Sequence, residues 1–297
     1  MRRRNLLALA VALLTSASAC VGSSPTAEPT EQGALRVASF DFAESVVLAE
    51  VYAQAAERAG VPVERLGPVG PREVLVPAMR NDQIDLVPEY VGSALRFAGV
   101  VETPHDPQVA ATLLAERVDE FDIDVLMPSS AVDQNVVVVS AETAAVHGLV
   151  AISDLAGVRL ETFGGPPECP DRPLCLAGLQ STYGLTFEEF VAQPTLAFTA
   201  EALRRGEIDV GVMFSTSPEL EAADLVVLAD DRNLQPPENV VPVVRVLALE
   251  RWDPDLRRSL DAVSTNLTTT DLRQMNGQIA GGAAAVDVAR EWLATFD

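Results

Sequence analysis

The sequence predicts an α/β protein of two lobes joined by a hinge of two crossing strands. Three observations carry that prediction. Strand-like apolar runs alternate with helical periodicity along most of the chain, the pattern of a largely parallel sheet covered by helices. A helix–turn–strand unit recurs: Met79-Arg-Asn-Asp-Gln-Ile-Asp-Leu-Val-Pro-Glu-Tyr90 has a faint copy 124 residues later in Ala202-Leu-Arg-Arg-Gly-Glu-Ile-Asp-Val-Gly-Val-Met-Phe214, with Tyr90 and Phe214 each five residues after the Asp. Finally, the uninterrupted run Val136–Ser140 reads as a buried strand crossing into a second region, and Val240–Leu249 reads as a strand returning from it. A region entered and left by two strands is a hinge arrangement around a cleft suited to a small ligand. In open α/β sheets ligands lie outside the carboxyl ends of the strands, which sets Tyr90 and Phe214 on facing walls.

Taken in order, the chain begins with Arg2-Arg3-Arg4, the apolar run Leu6–Leu14 and the small residues Thr15–Ala19 before Cys20. That is an export signal over residues 1–19, too short to span a membrane. Cleavage before Cys20 would make it a lipidated N-terminus, as in bacterial lipoproteins. Ala17 replaces the usual Leu there, so plain Ala-x-Ala cleavage after Ala19 is the competing reading. Residues 20–33, rich in Ser, Thr, Pro and Glu, read as a flexible tether. Lobe 1 is expected over residues 34–136 plus 238–297 and lobe 2 over 137–237.

Within lobe 1, Leu35–Ser39 alternates like a strand, and Ser39-Phe-Asp-Phe-Ala-Glu44 turns into a helix over Ser45–Ala59 stopped by Gly60. Val63–Leu66 is a second strand, a helix runs to Arg80, and Ile84–Val87 is a third strand. Helix Gln108–Phe121 and strand Asp124–Pro128 complete the first pass. Lobe 2 holds strand Arg159–Phe163, helices Leu176–Tyr183 and Thr199–Arg205, and strands Ile208–Phe214 and Asp224–Leu228. Helices Asp255–Asn266, Asp271–Ile279 and Val286–Phe296 close the chain.

The formal charge is −22, and lysine is absent. So acidic a chain argues against nucleic acid, whose phosphates need clustered Lys and Arg. It also disfavours adhesion to anionic lipids, so a lipid anchor would have to hold the protein at a membrane. Enzymatic signatures are missing: there is no Gly-x-Ser-x-Gly elbow, phosphate loop or histidine cluster, and no catalytic residue is assigned. His105 and His147 lie far from the cysteines, so neither a metal nor another cofactor is expected. With Cys20 set aside, Cys169 and Cys175 form an even remainder at close spacing in an exported chain. That pattern reads as a disulfide closing a small loop, stabilising it by roughly 2–3 kcal/mol.

Several segments together resemble the substrate-binding lipoproteins of osmoprotectant ABC importers, the glycine betaine/carnitine/choline-binding family. They are Val37-Ala-Ser-Phe-Asp-Phe-Ala-Glu-Ser45, Pro71-Arg-Glu-Val74, Ile84-Asp-Leu-Val-Pro-Glu-Tyr-Val-Gly-Ser93, Gly206-Glu-Ile-Asp-Val210, Asp224-Leu-Val-Val-Leu-Ala-Asp-Asp231, Pro236-Pro237, Val241-Pro-Val-Val-Arg245 and Asp287-Val-Ala-Arg-Glu-Trp-Leu293. The resemblance spans Leu35 to Leu293 in family order. It implies the type II periplasmic-binding-protein fold and no catalysis. It further implies a monomer, lipid-anchored on the outer face of the cytoplasmic membrane, that delivers a small amine or zwitterion to a permease with its ATPase.

The resemblance also implies a cage of aromatic faces around a quaternary ammonium, which has no donors and so relies on cation–π attraction. One cage tyrosine falls on Tyr90 and a second on Phe214, which keeps the ring. The third falls near Asn135 and the fourth on Glu238, so half of the cage is replaced. Either acids such as Glu238 or Asp133 neutralise a cation directly, or Asn135, Gln134 and Glu238 bind a more polar molecule. Arg172 occupies the Cys-bounded loop where relatives often pair an Arg with a ligand carboxylate; its alternative is a surface pair with Glu168 or Asp171. Ser39, Asp41 and Glu44 at a strand-to-helix turn, and Arg72 at a helix start, are further candidate contacts, with an N-cap role the alternative for Ser39 or Asp41. An extracellular sensing module is the alternative to import.

Overall fold

Two five-stranded sheets with one shared strand pattern frame the protein. The computed structural model describes residues 33–295, so the signal segment, Cys20, the tether up to residue 32 and the last two residues lie outside the described residues. The strands are β1 (Leu35–Ser39), β2 (Val63–Pro68), β3 (Leu86–Tyr90), β4 (Ile123–Val125), β5 (Asn135–Ser140), β6 (Thr162–Gly165), β7 (Glu189–Ala192), β8 (Val210–Phe214), β9 (Leu225–Leu228) and β10 (Val240–Arg245). One sheet has the order β2-β1-β3-β10-β4 and the other β7-β6-β8-β5-β9. In each, the first three strands are parallel, and a strand from the crossing connection inserts antiparallel at the fourth position.

The helices are α1 (Ala43–Arg58), α2 (Arg72–Arg80), α3 (Val91–Phe97), α4 (Pro107–Val118), α5 (Ala141–His147), α6 (Leu176–Gly178), α7 (Leu196–Arg204), α8 (Val246–Trp252), α9 (Asp255–Asn266), α10 (Thr269–Ala280) and α11 (Ala285–Leu293). Around α1, the fully buried Leu48, Val51 and Tyr52 sit in one core with Leu260 and Leu272 from α9 and α10. The second sheet is covered on both faces. Phe163, Leu179 and Val212 belong to one cluster, and Leu203, Ile208 and Met213 to another.

The sequence repeat corresponds to equivalent positions in the two sheets. Helices α2 and α7 and strands β3 and β8 keep the 124-residue offset, and β3 and β8 each hold the third position. The Ile-Asp pair does the same work in both. Ile84 and Ile208 are buried. Asp85 Oδ2 accepts from the Arg36 backbone N–H on β1 at 2.9 Å, and Asp209 Oδ2 accepts from the Thr162 backbone N–H on β6 at 2.9 Å. Each aspartate therefore ties its strand to the preceding parallel neighbour, where the ladder begins.

The crossing segments, residues 126–134 and 229–239, run antiparallel side by side. They are joined by a bridge between Val132 and Asn239 and by the Asp133 N–H donating to the Glu238 carbonyl at 3.1 Å. The crossing is thus made just before the expected runs: Val136–Ser140 and Val240–Arg245 lie within the two sheets, as β5 and β10. The fold is the two-lobed α/β architecture expected.

Several element bounds differ from expectation. The returning strand ends at Arg245, and Val246–Trp252 is helix α8; its Leu, Ala, Glu and Arg residues are strong helix formers that an apolar run alone cannot distinguish from strand. The third strand is shifted to Leu86–Tyr90, so Pro88 stands inside it, facing Pro242 of β10 where neither residue needs to donate. The helix expected over Leu176–Tyr183 is a short α6 followed by a wider π turn through Tyr183, closed by Gly184 at φ +71°. Helix α5 and edge strand β7 are additional elements. The Ser140 hydroxyl accepts from the Thr143 N–H at 3.0 Å, an N-cap that starts α5 directly after β5.

Candidate functional site: the cleft between the sheets

The chain just beyond the carboxyl end of β1 and the carboxyl end of β8 line a cavity of about 700 Å³. Phe42 and Glu44 bring the α1 entrance to it, Asp133 the crossing segment, and Phe214, Thr216 and Ser217 the end of β8; Asn276 enters from α10. Phe42 is 42 % exposed and Phe214 47 %, so one aromatic from each lobe presents its ring. Behind Phe42 the rings are layered: Phe40 stacks on it at 5.7 Å between centroids, and Tyr90 lies at 6.0 Å.

The polar groups form one connected set. Tyr90 Oη donates to Glu44 Oε1 at 2.7 Å, Asn276 Nδ2 donates to Glu44 Oε2 at 2.6 Å, and the same nitrogen reaches the Thr216 carbonyl at 3.1 Å. Thr216 Oγ1 donates to Asp133 Oδ1 at 2.9 Å. Burial, reinforced by the Glu44 charge, pushes the Asp133 carboxyl up to about 7. Burial, then the Glu44 and Asp133 charges, raises the Tyr90 phenol well above its ordinary value, so it remains a donor. Helix α10 also holds the loop beyond β8, because Arg273 Nε donates to the Ser215 carbonyl at 2.7 Å.

The predicted contacts separate into two groups. Phe214, Asp133 and Glu44 line the cavity, and Tyr90 supports it from behind, 5 % exposed. The others lie apart from it. The Glu238 carboxylate is buried and turned onto α3, where it accepts from the Ser93 N–H at 2.8 Å and the Ser93 hydroxyl at 3.0 Å and pairs with Arg96. Gly92 permits that approach, since a Cβ there would lie 2.5 Å from the Pro237 carbonyl oxygen. Asn135 faces Phe214 across the β5–β8 ladder, but its amide donates to the Leu174 carbonyl at 2.9 Å and lines a separate cavity of about 170 Å³. Arg72 makes a forked pair with Glu89 at 2.9–3.1 Å and lies 4.9 Å from the Phe40 ring centre. Arg172 is an exposed surface residue paired with Glu168 at 3.1 Å. Ser39 is buried without a hydroxyl partner, and Asp41 is exposed on a neighbouring groove with Phe42 and Arg72. The Cys169 and Cys175 sulfurs lie at bonding distance, with Cα atoms 5.3 Å apart.

Phe42 and Asn276 are the lining residues that sequence reasoning passed over. Phe42 had a signal, an aromatic in the Ser39–Glu44 turn at a strand's carboxyl end. Asn276 had none, because only the packing of α10 on α1 carries it to Glu44. Among the described residues, no group of three or more His, Cys, Asp or Glu is arranged to hold a metal ion.

Comparison with known proteins agrees with this architecture. Residues 33–295 match the model of the substrate binding domain of the ABC-type glycine betaine transport system. The chain is 26 % identical over 260 residues to a glycine-betaine-binding protein of Pseudomonas aeruginosa, covering 82 % of each. It is 24 % identical over 303 residues to the carnitine transport binding protein OpuCC of Listeria monocytogenes, covering 99 % of this chain and 97 % of the relative. Among solved structures, a glycine betaine/carnitine/choline ABC transporter protein aligns with a TM-score of 0.80 at 22 % identity, over 88 % of this chain and 98 % of that one. Apo YehZ from Escherichia coli aligns with a TM-score of 0.77 at 22 % identity, over the same shares. These structural likenesses give the type II periplasmic-binding-protein fold. With 33–295 matched, the chain belongs to the family of substrate-binding domains of ABC-type glycine betaine transport systems, a family of transport proteins and not of enzymes.

Proposed function

We propose that the protein is the extracytoplasmic binding component of an ABC importer and captures a small amine, cationic or zwitterionic, of the glycine betaine, choline or carnitine type. The observation that carries this reading is the cavity between Phe42 and Phe214, which offers two aromatic faces and three acid side chains, Glu44, Asp133 and Glu219, to one ligand. Cation–π attraction to such faces replaces part of an ammonium ion's hydration, and the carboxyl groups of Glu44 and Asp133 face the cation, Asp133 supplying charge once its proton is given up near pH 7. Contacts are assigned to Phe214, Asp133 and Glu44, with Tyr90 holding Glu44 in place. Closure of residues 34–136 with 238–297 onto residues 137–237 would bury the ligand and present it to a permease coupled to an ATPase. Cys20 is the site of a lipid anchor on the outer face of the cytoplasmic membrane, Cys169 and Cys175 form a disulfide, and the protein works as a monomer.

A thermal-shift screen over glycine betaine, choline, carnitine and neutral polyols tests the ligand class, because binding to the folded state raises its melting temperature. With no aromatic ring at Asn135 or Glu238, two of the four positions the resemblance gives to the cage, the second reading is a ligand that is polar and uncharged. A response to polyols alone would establish that one instead.

A further inference from the structure

Helix α10 joins the two sheets by a route outside the crossing segments. Leu272 and Met275 turn into the core shared with α1 and α11, and Thr268 with Asp271 fixes the helix start as a capping box. Arg273, Asn276, Gly277 and Ala280 fall at i, i+3, i+4 and i+7, which places them on one other face of the helix. That face meets the chain just beyond β8. Arg273 Nε donates to the Ser215 carbonyl at 2.7 Å, Asn276 Nδ2 donates to the Thr216 carbonyl at 3.1 Å, and a Cβ on Gly277 would come within 3.4 Å of Pro218 Cβ. Asn276 and Ala280 line the cavity, whereas Arg273 stands outside its lining.

Ser215, between the lining residues Phe214 and Thr216, is where Arg273 takes hold. Strand β8 ends at Phe214, so the sheet ladder no longer holds the backbone there. The Ser215 N–H donates to the Gln134 carbonyl at 2.8 Å. Its hydroxyl donates to the Val132 carbonyl at 2.6 Å and accepts from the Gln134 N–H at 3.0 Å. Those bonds bind Ser215 to the crossing segment that carries Asp133, and the carbonyl is left to Arg273. A guanidinium suits the task because it stays protonated at every working pH and carries five donors. Its Nη1 also lies 3.7 Å from Glu221 Oε1, at the end of the turn that Gly277 approaches.

We propose that Arg273 is a positioning residue for ligand capture: through the Ser215 carbonyl it sets the Phe214 ring opposite Phe42, without touching the ligand itself. The inference rests on the importer reading above and leaves its ligand class unchanged. It makes affinity depend on a helix that packs on the first sheet and steadies a ring presented by the second.

Titration calorimetry of the full chain with glycine betaine, choline and carnitine reads the effect. Arg273→Met keeps the aliphatic stem and removes the donors, and Arg273→Lys keeps a charged donor. With folding checked by circular dichroism, the Met variant should bind the tightest of the three ligands about three- to tenfold more weakly, and the Lys variant should recover part of the loss. A cycle with Phe214→Ala separates positioning from general destabilisation. A residue that acts through the ring costs nothing further once the ring is gone, so the double variant should bind as Phe214→Ala does. Additive losses, or unchanged affinity in the Met variant, would overturn the inference and leave the importer reading intact. Hydrogen exchange gives a readout without ligand: amides of residues 214–217 should exchange faster in the Met variant while those of α1 do not, and equal rates at 214–217 would also overturn the inference. If the unsubstituted protein bound none of the three ligands, the amine reading would fall, and the exchange rates would decide by themselves whether Arg273 places the ring. Should the Met variant not fold, Gly277→Leu takes its place in both measurements, since it spreads the same contact with a stronger helix former.

Discussion

The units built on Ile84-Asp85 and Ile208-Asp209 occupy the same place in two sheets, yet they end differently. Both aspartates pin a parallel neighbour through a backbone N–H. Asp85 is 6 % exposed and also holds the Arg36 guanidinium in a forked pair, at 2.8 and 2.7 Å, with buried Arg245 nearby. Among the described residues, Asp209 meets only uncharged donors, the N–H groups of Glu161 and Thr162 and the Thr162 hydroxyl. Five residues on, Tyr90 is buried and donates to Glu44, whereas Phe214 is 47 % exposed in the cavity. A repeated fold unit thus conserves its mechanical joint while its ligand end is free to diverge: lobe 1 shapes the acid, and lobe 2 supplies the bare ring.

The largest effect should come from the joints. Asp85→Ala strips half-buried Arg36 of its forked partner and the Arg36 backbone N–H of its acceptor, and should lower stability by about 2–4 kcal/mol in urea unfolding. Asp209→Ala strands neutral donors and should cost about 1–3 kcal/mol. Equal losses would show that the two joints are not energetically distinct.

The ligand ends should separate next. Phe214→Ala should weaken amine binding by roughly tenfold, about 1.4 kcal/mol, with little change in melting temperature because the ring is half exposed. Tyr90→Phe should instead lower stability by about 1–2 kcal/mol, since it removes the donor to a buried carboxyl. If Tyr90→Phe left the melting temperature unchanged while Phe214→Ala reduced it sharply, the division of labour would be reversed.

A pH series probes the acid end. Asp133 sits near 3.8 when unfolded and about 7 in the fold. Between those values the folded protein holds a proton that the unfolded chain has lost, so this group makes stability fall as pH rises from about 4 to 7. Asp133→Asn should therefore gain melting temperature over the parent across that window, and a gain that shrinks with rising pH would refute the raised value. The smallest effect is expected of Arg172→Ala. Its exposed pair with Glu168 predicts a change within about 0.5 kcal/mol and unaltered amine affinity.

Strand–helix alternation, the crossing runs and the Ile-Asp repeat were legible because they follow from period and local turn chemistry, which residue order records. The place of Phe214, Glu44 and Asp133 beside the cavity was legible for the same reason, since they lie at or near strand ends and crossings. Glu238 was not. Its correspondence to a cage position located the backbone, but the side chain's direction depends on Ser93 and Arg96, which only tertiary packing brings within reach. Arg72 and Arg172 are drawn away from the cavity in the same way, since a guanidinium on a cleft-edge element goes to whichever carboxylate folding sets beside it, Glu89 for Arg72 and, as the stated alternative had it, Glu168 for Arg172. Asn276 could not have been read at all from a helix with no motif.

Helix α10 has a kinematic consequence. It packs on α1 and α11, yet its Arg273 and Asn276 grip the carbonyls of Ser215 and Thr216 beyond β8. Close by, Thr269 Oγ1 accepts from the Val132 N–H at 3.0 Å on the crossing segment. A rigid rotation of one sheet against the other that kept these bonds would have its axis running beside them, close to the acid end of the cleft. The far rim, where Glu102–His105 face Pro173, Leu174 and Pro236, would then move on the longest lever arm. Charge recognition would sit near the fulcrum and change little, while access for the ligand is set at the moving rim.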